Sequence, residues 1–510
     1  MELNSQERGI ALKHGSTHHP NPFDTCPDEI VGEIFCSADN GPEIFETRCS
    51  IDRPYPSTPF YLSSVCRRWR LIAISTPALW AYIYIDNYHW LHRGSDQKEH
   101  AEAPLKGRHE LHDFVETCFA RSGKHPLYIQ WRDSLTTSLP DPLLVSMLAK
   151  ESHRWREIVF HSRGNVSTLE AILKHQDFKG LHVLRKIHIA EDMSPNPNLL
   201  GNSRAIGAPN LTSVVLCSSA ENLNAMAGYI SLTHITYLHL TINYDQRLPP
   251  VASVIASSSG LNYLHLSLNI AWHHIDSLQP GCTMDLPHLS RLSVSANPRC
   301  LWHFLSRMRV PALTHLHVSE EAPLGHEAGS PNVTDVDEFL DVVPPALEAL
   351  TVQCMDFPQL KRLITATEPR KINLTDIVIG ENDGDEWNIH TFLEDVVSCA
   401  GYTSRMQEVA IFNQVQHFEG ADDGFIEAIL DSLHRAAEGS PLFEDPRPLR
   451  IDIYSDLPIP EEAMDVFDPD TLPQCIDVCL YEDWTSPVDK WRGYFLDPDP
   501  EEDLSGFFSI

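Results

Sequence analysis

"ITYLHL" at residues 235–240 and "LNYLHL" at 261–266 share one pattern: an apolar residue, two variable ones, an apolar residue, one variable, one apolar. The same hexamer recurs as LRKIHI (184–189), LTSVVL (211–216), LSRLSV (289–294), LTHLHV (313–318), LEALTV (347–352), LTDIVI (374–379) and MQEVAI (406–411). WREIVF at 155 reads as an earlier copy, and PLRIDI at 448 and CIDVCL at 475 as later ones. Starts of the nine central copies are 27, 24, 26, 28, 24, 34, 27 and 32 residues apart. One such unit is too short to bury its own leucines, so a motif returning at these intervals predicts a solenoid held together by neighbour-on-neighbour stacking.

The irregular period brackets the leucine-rich-repeat range. Several copies also share a proline lead-in, as in "LPHLSRLSV" and "PPALEALTV". Each hexamer is expected to be a short strand with positions four and six in the core, followed by a helical or irregular return segment such as "VDEFLDVV" (336–343) or "NIHTFLEDVVSCA" (388–400). The expected class is therefore α/β: a curved parallel sheet.

Because strand side chains alternate, positions three and five face away from the core together, on the concave side of the array. Position five holds His188, Val215, His239, His265, Ser293, His317, Thr351, Val378 and Ala410. Position three adds Tyr237, Tyr263, Arg291 and His315. Stacking would gather Tyr237, His239, Tyr263, His265, Arg291, His315 and His317 into one aromatic, hydrogen-bonding patch, the candidate surface for a protein substrate, since Tyr and Arg carry much interface energy. His239 and His265, about one strand spacing of ~4.8 Å apart, could in principle share a metal or titrate together. The motif supplies no cysteine or carboxylate to complete a metal site, and neither metal nor cofactor is expected. Cys475 and Cys479 suggest a redox or zinc pair less well than they fit the repeat, with Cys475 at its first apolar position, and "ENDGDEW" (381–387) lacks the alternating ligands of a calcium loop. No G-x-S-x-G, P-loop, dinucleotide glycine pattern or H-E-x-x-H occurs, so no catalytic residue is assigned and the chain is not read as an enzyme.

At 510 residues the chain exceeds one ordinary core, and its net charge of −33 disfavours nucleic acid and anionic membranes as partners. Twelve scattered cysteines without a disulfide framework, and a polar amino terminus without a secretory pattern, point to a cytoplasmic or nuclear setting. Five stretches separate by texture: a disordered N-terminus (1–23), a helical module (24–85), a linker and start of the array (86–150), the array (151–440), and degenerate end repeats with an acidic tail (441–510).

In the helical module "CPDEIVGEIF" (26–35) places Ile30, Val31, Ile34 and Phe35 at helical spacing. A proline-rich loop follows, then a second helix from near Phe60 with Leu62, Val65, Cys66, Trp69, Ile72 and Ala73 as one buried stripe, and Arg67, Arg68 and Arg70 off it. "STPALW" (75–80) adds a cap, a proline and the apolar pair Leu79 and Trp80.

These residues resemble an F-box, in the divergent F-box-like form common in fungal proteins. Pro27, Glu29, Ile30, Ile34, Phe35, Val65, Cys66, Trp69, Pro77, Leu79 and Trp80 match its pattern; Cys26 stands where the leucine before the proline is expected, which would weaken or modify docking. The resemblance implies a small three-helix module that seats on a Skp-type adaptor, and through it on a cullin, using Pro27, Ile30, Ile34, Val65, Trp69, Pro77 and Leu79. It also implies a non-catalytic substrate receptor of a Skp-cullin-F-box ubiquitin ligase whose repeats bind an unknown protein target. The alternatives are a repeat scaffold whose F-box no longer engages a ligase and, third, a hydrolase using a site on the array.

Overall fold

The computed structural model describes residues 22–38, 58–86, 103–133, 141–162, 167–191, 206–218, 230–243, 249–269, 283–320, 333–353, 357–375, 406–413, 449–455 and 476–481, with positions 223, 227 and 355. The stretches 1–21, 388–400 and 482–510, and with them all of the expected disordered terminus (1–23) but Pro22 and Phe23, which are helical, one return helix and the end of the acidic tail, lie outside the described residues. The chain divides into two compact units, residues 1–130 and 131–510.

The first unit opens with a short turn of helix, Pro22–Thr25, then helices Asp28–Ala38, Thr58–Val65 and Arg67–Ser75 and a 3₁₀ turn, Pro77–Trp80. Strand β1 (Tyr82–Asp86), helix Ala103–Ser122 and the start of β2 (Leu127–Asp133) follow. The stretch 86–150, read as linker and start of the array, thus holds a long helix and a strand, plus helix Pro142–Glu151 of the second unit.

The core of the first unit is built around Trp80, fully buried, whose Nε1–H donates to Ala73 O at 2.7 Å. Phe60 meets the Trp80 ring edge-on at 5.0 Å, and the Arg121 guanidinium lies 4.2 Å from its centroid. Helix Asp28–Ala38 approaches closely at Gly32, where an added Cβ would stand 3.2 Å from Thr76 Oγ1. Val31 and Phe35 are buried on the same helix.

One expectation for this unit is corrected. The single helix from Phe60 is two helices, broken at Cys66, whose backbone is extended (φ −154°, ψ 172°) and whose Sγ accepts from Trp69 N at 3.4 Å as an N-cap. The break rotates the stripe, so Ile72 and Ala73 are buried and Trp69 half-buried while Val65 and Cys66 are exposed. Two of the arginines off the stripe make bonds within the unit. Arg68 donates to Asp28 Oδ1 (Nε at 2.8 Å, Nη2 at 2.6 Å) and to the carbonyls of Phe23 and Cys26, fastening the preceding chain to this helix. Arg70 Nε donates to Ser63 O at 2.8 Å, bridging the break.

The second unit is dominated by strands β3 (Trp155–Ser162), β4 (Lys186–Glu191), β5 (Ser213–Ser218), β6 (Tyr237–Asn243), β7 (Tyr263–Asn269), β9 (Arg291–Ala296), β11 (His315–Glu320), β12 (Ala349–Gln353), β13 (Lys371–Thr375), β14 (Glu408–Asn413), β15 (Leu449–Ser455) and β16 (Ile476–Tyr481). They hydrogen-bond in chain order, every pair parallel; β8 (Met284–Asp285) and β10 (Met308–Arg309) form a separate parallel pair. One strand per repeat and no register slip make this a leucine-rich-repeat-like solenoid.

The register explains why the hexamer is needed. Position four forms an unbroken line, Ile158, Ile187, Val214, Leu238, Leu264, Leu292, Leu316, Leu350, Ile372, Val409 and Ile451, every member fully buried. Position six runs parallel to it from Phe160 through Leu240 and Leu266 to Ile453. Behind the strands, helices Pro142–Glu151, Pro249–Ser257, Pro298–Leu305, Val333–Leu340 and Phe357–Thr367 bury their own apolar sides; Asp141 and Asn297 cap the first and third through Leu143 N and Cys300 N, each at 3.0 Å. Trp302, fully buried on Pro298–Leu305, donates its Nε1–H to Glu320 Oε1 at 3.1 Å and Gln359 Oε1 at 2.9 Å, joining one strand end and two helices.

One copy is displaced from its expected place. LTDIVI was expected at 374–379, but β13 is Lys371–Thr375, and Leu374 pairs with Val352 at position six. The first position is filled by buried Pro369, so a template that demands an aliphatic opening residue skips it; the position-five residue is Asn373, and Val378 lies outside the described residues. Among the described residues no helix is long and apolar enough to cross a membrane.

Candidate functional site

The outward rows of the sheet follow directly from the register. Row three runs Lys186, Ser213, Tyr237, Tyr263, Arg291, His315, Ala349, Lys371, Glu408, Arg450. Row five runs His188, Val215, His239, His265, Ser293, His317, Thr351, Asn373, Ala410, Asp452. All seven residues of the expected patch therefore lie on four adjacent strands, β6, β7, β9 and β11.

Within the patch, Tyr237 and Tyr263 stack face to face, centroids 4.6 Å apart and planes 2° from parallel. His239 and His265 are 4.1 Å apart, and His239 Nε2 contacts Thr241 Oγ1 at 3.2 Å. Ser293 Oγ sits between two imidazoles, 2.9 Å from His265 Nδ1 and 2.9 Å from His317 Nδ1. His315 Nδ1 meets Thr314 Oγ1 at 2.9 Å. The patch is recessed rather than open: Tyr263 is 4% exposed and Ser293 0%, while Tyr237, His239, His265, Arg291, His315 and His317 are half-buried.

Burial disfavours the charged imidazolium. It pushes His239 down to about 2, helped by His265 and His188 nearby, and holds His265, His315 and His317 near about 4. His188 falls to about 3 for the same reason, with His161 (5.3 Å away) and Lys186 adding to it. At neutral pH these histidines are uncharged rings that accept and donate hydrogen bonds.

A serine flanked by two histidines has the outline of an activated nucleophile, but with no exposed area Ser293 Oγ is not open to a substrate as the chain stands. Among the described residues no group of three or more His, Cys, Asp or Glu side chains could hold a metal ion. Further along, the outward charges pair internally: Lys371 Nζ with Glu408 Oε2 at 2.6 Å, and Arg450 Nε with Asp452 Oδ1 at 2.9 Å. Asn373 donates from Nδ2 to Thr351 Oγ1 at 3.1 Å.

The seven expected adaptor-facing residues divide. Pro27, Ile30, Ile34, Val65 and Pro77 are exposed, Val65 at 60%. Leu79 is 2% exposed and belongs to the core; Trp69 packs its ring on Phe35 (4.9 Å) and Phe23 (5.6 Å). Leu79 therefore supports the surface from within, while half-buried Trp69 keeps part of its side chain at it. Tyr61, Leu71 and Ile74, absent from that expectation, are exposed apolar side chains of the same helices. Leu71 and Ile74 lie off the 69–72–73 face, a signal a helical wheel carries once the helix start at Arg67 is known.

No family model matches the sequence, and no curated protein matches it closely. Among solved structures, the leucine-rich repeat-containing protein LegL7 from Legionella pneumophila aligns at 11% identity with a TM-score of 0.31, over 61% of this chain and 97% of that one.

Proposed function

We propose that this chain is a non-catalytic protein receptor that holds a partner on the concave rows of its sheet and is itself recruited through its helical module. The observation that carries the reading is the unbroken register that sets Tyr237, Tyr263, Arg291 and His315 beside His239, His265 and His317 on four neighbouring strands. A recessed surface of aromatic, imidazole and hydroxyl groups around one arginine is the composition of a protein-binding site.

The helical module supports the recruiting half. Ile30, Ile34, Tyr61, Val65, Leu71 and Ile74 are all at least 41% exposed, more apolar surface than so short a stretch leaves uncovered without a partner. Taken with the F-box-like pattern, the partner is a Skp-type adaptor, and the assembly a Skp-cullin-F-box ubiquitin ligase in which this chain positions the target's lysines. Co-expression with a Skp-type adaptor and co-purification tests this. Stoichiometric recovery that is lost in Ile34→Ser or Val65→Ser, with folding intact, is the expected result. A folded chain that recovers no adaptor leaves the array as a scaffold outside the ligase.

A further inference from the structure

The chemistry of the concave rows narrows the class of partner, on the premise above that these rows are the binding face. From β5 to β12 the outward positions in rows three, five and seven are Ser213, Val215 and Cys217; Tyr237, His239 and Thr241; Tyr263, His265 and Ser267; Arg291, Ser293 and Ser295; His315, His317 and Ser319; and Ala349, Thr351 and Gln353. Not one is a carboxylate, in a chain with 71 acidic residues. The imidazoles are held neutral by burial. Arg291 is then the single formal charge among these positions.

A phosphorylated or strongly acidic segment would need several cations here, and a basic one would need carboxylates. Desolvating charges against neutral imidazoles and hydroxyls gives back little of its cost. The face is instead rich in paired donors and acceptors. Ser293 has one hydroxyl proton and no partner among the described residues other than His265 Nδ1 and His317 Nδ1. Being buried, that proton goes to one ring, and the other ring's Nδ1–H donates to Ser293 Oγ. The two imidazoles therefore carry opposite tautomers. One ring then carries its hydrogen at Nε2 and the other at Nδ1, so the row holds donors and acceptors together without a formal charge. Amides, which carry both, are the matching chemistry, and half-buried Tyr237, stacked on Tyr263, adds an aromatic edge beside them.

We infer that the concave face between β5 and β12 binds an uncharged peptide segment of a partner protein, one bearing amide and aromatic side chains, and not a phosphorylated, acidic or basic one. The test uses the purified full chain against four sets of synthetic 15-residue peptides: neutral Asn/Gln/Tyr-bearing, phosphoserine-bearing, Asp/Glu-rich and Lys/Arg-rich. Expected are binders confined to the neutral set, with affinity changing less than ~2-fold between 50 and 500 mM NaCl because little of it is screened. Arg291→Gln should then weaken binding less than ~3-fold, whereas Tyr237→Ala with His265→Leu should weaken it more than ~10-fold. Circular dichroism and melting confirm that each variant is folded, and Tyr237→Ala alone serves if the double variant is not. Binders drawn from a charged set, lost in Arg291→Gln or in salt, overturn this inference while leaving the concave face as the site. Binding that ignores Tyr237 and His265, or no binding by any set, overturns the inference and the premise it rests on.

Discussion

The two units solve the same problem, covering apolar side chains, to different degrees. In the array each unit's leucines are covered by the units on either side, and over the described part of residues 131–510 only Leu143, Val183 and Val342 stand out as exposed large apolar residues. The much shorter helical stretch leaves six such side chains exposed among its described residues 22–38 and 58–80, from Ile30 to Ile74. A repeating sheet is its own partner; a handful of short helices is not, and what they leave open is available to another protein.

The sharpest way to break that comparison is to remove one leucine from each side of it. Leu292, fully buried in the position-four line, contacts both neighbouring strands, and Leu292→Ala should cost about 3 kcal/mol in urea unfolding from lost burial and the cavity left behind. The same truncation at Leu71, 62% exposed, should cost less than ~0.5 kcal/mol. Equal losses would mean that the helices are as self-sufficient as the array.

Next in size is Trp302, the fastening of helices to sheet. Trp302→Phe keeps a ring beside Phe339 but withdraws the N–H that Glu320 and Gln359 share, and should cost about 2 kcal/mol, read as faster hydrogen exchange in Pro298–Leu305 and Phe357–Thr367.

The array also carries a pH signature. His161, His188, His239, His265, His315 and His317 all lie below their ordinary value through burial, with Arg132, Lys186 and Arg291 pressing the same way and Glu348 opposing at His315. A folded-state pKa below the unfolded one means the folded chain binds fewer protons, so this stability is complete above about pH 6.5 and drains away as pH falls toward 4 and below. Between pH 7 and 5.5 each deeply held ring should account for roughly 1 kcal/mol. His239→Gln, which can still reach Thr241, should remove about that much of the loss when melting is followed across this range.

The array was legible in the sequence because its signal is redundant: the same three apolar positions return with every strand, so even PLRIDI and CIDVCL, poor copies, join the sheet as β15 and β16. What failed was local. Pro369 hid the true start of β13, and a misplaced frame traded Asn373 for Val378. The composition of the outward patch followed from alternation alone, but its depth did not, because how far neighbouring imidazoles cover Ser293 and Tyr263 depends on side-chain conformation across strands. In the helices no repetition corrects an error. A single extended residue, Cys66, turned one expected helix into two and moved Val65 from the core to the surface.

The smallest expected effect on stability is the one that separates a docking surface from a poor core. Ile30 and Ile34 stand one turn apart on helix Asp28–Ala38, beside the buried Val31 and Phe35 but outside the packing those two make. Since water already reaches them, Ile30→Ser with Ile34→Ser removes little burial and should shift the unfolding midpoint by no more than ~0.5 kcal/mol. A loss above ~2 kcal/mol would show instead that these side chains complete the fold of the module, and the surplus of apolar surface would then belong to Tyr61, Val65, Leu71 and Ile74 alone. Recruitment through this face requires the opposite balance: an unchanged melting curve with adaptor recovery gone, because only an interface makes an exposed isoleucine matter to anything but solubility.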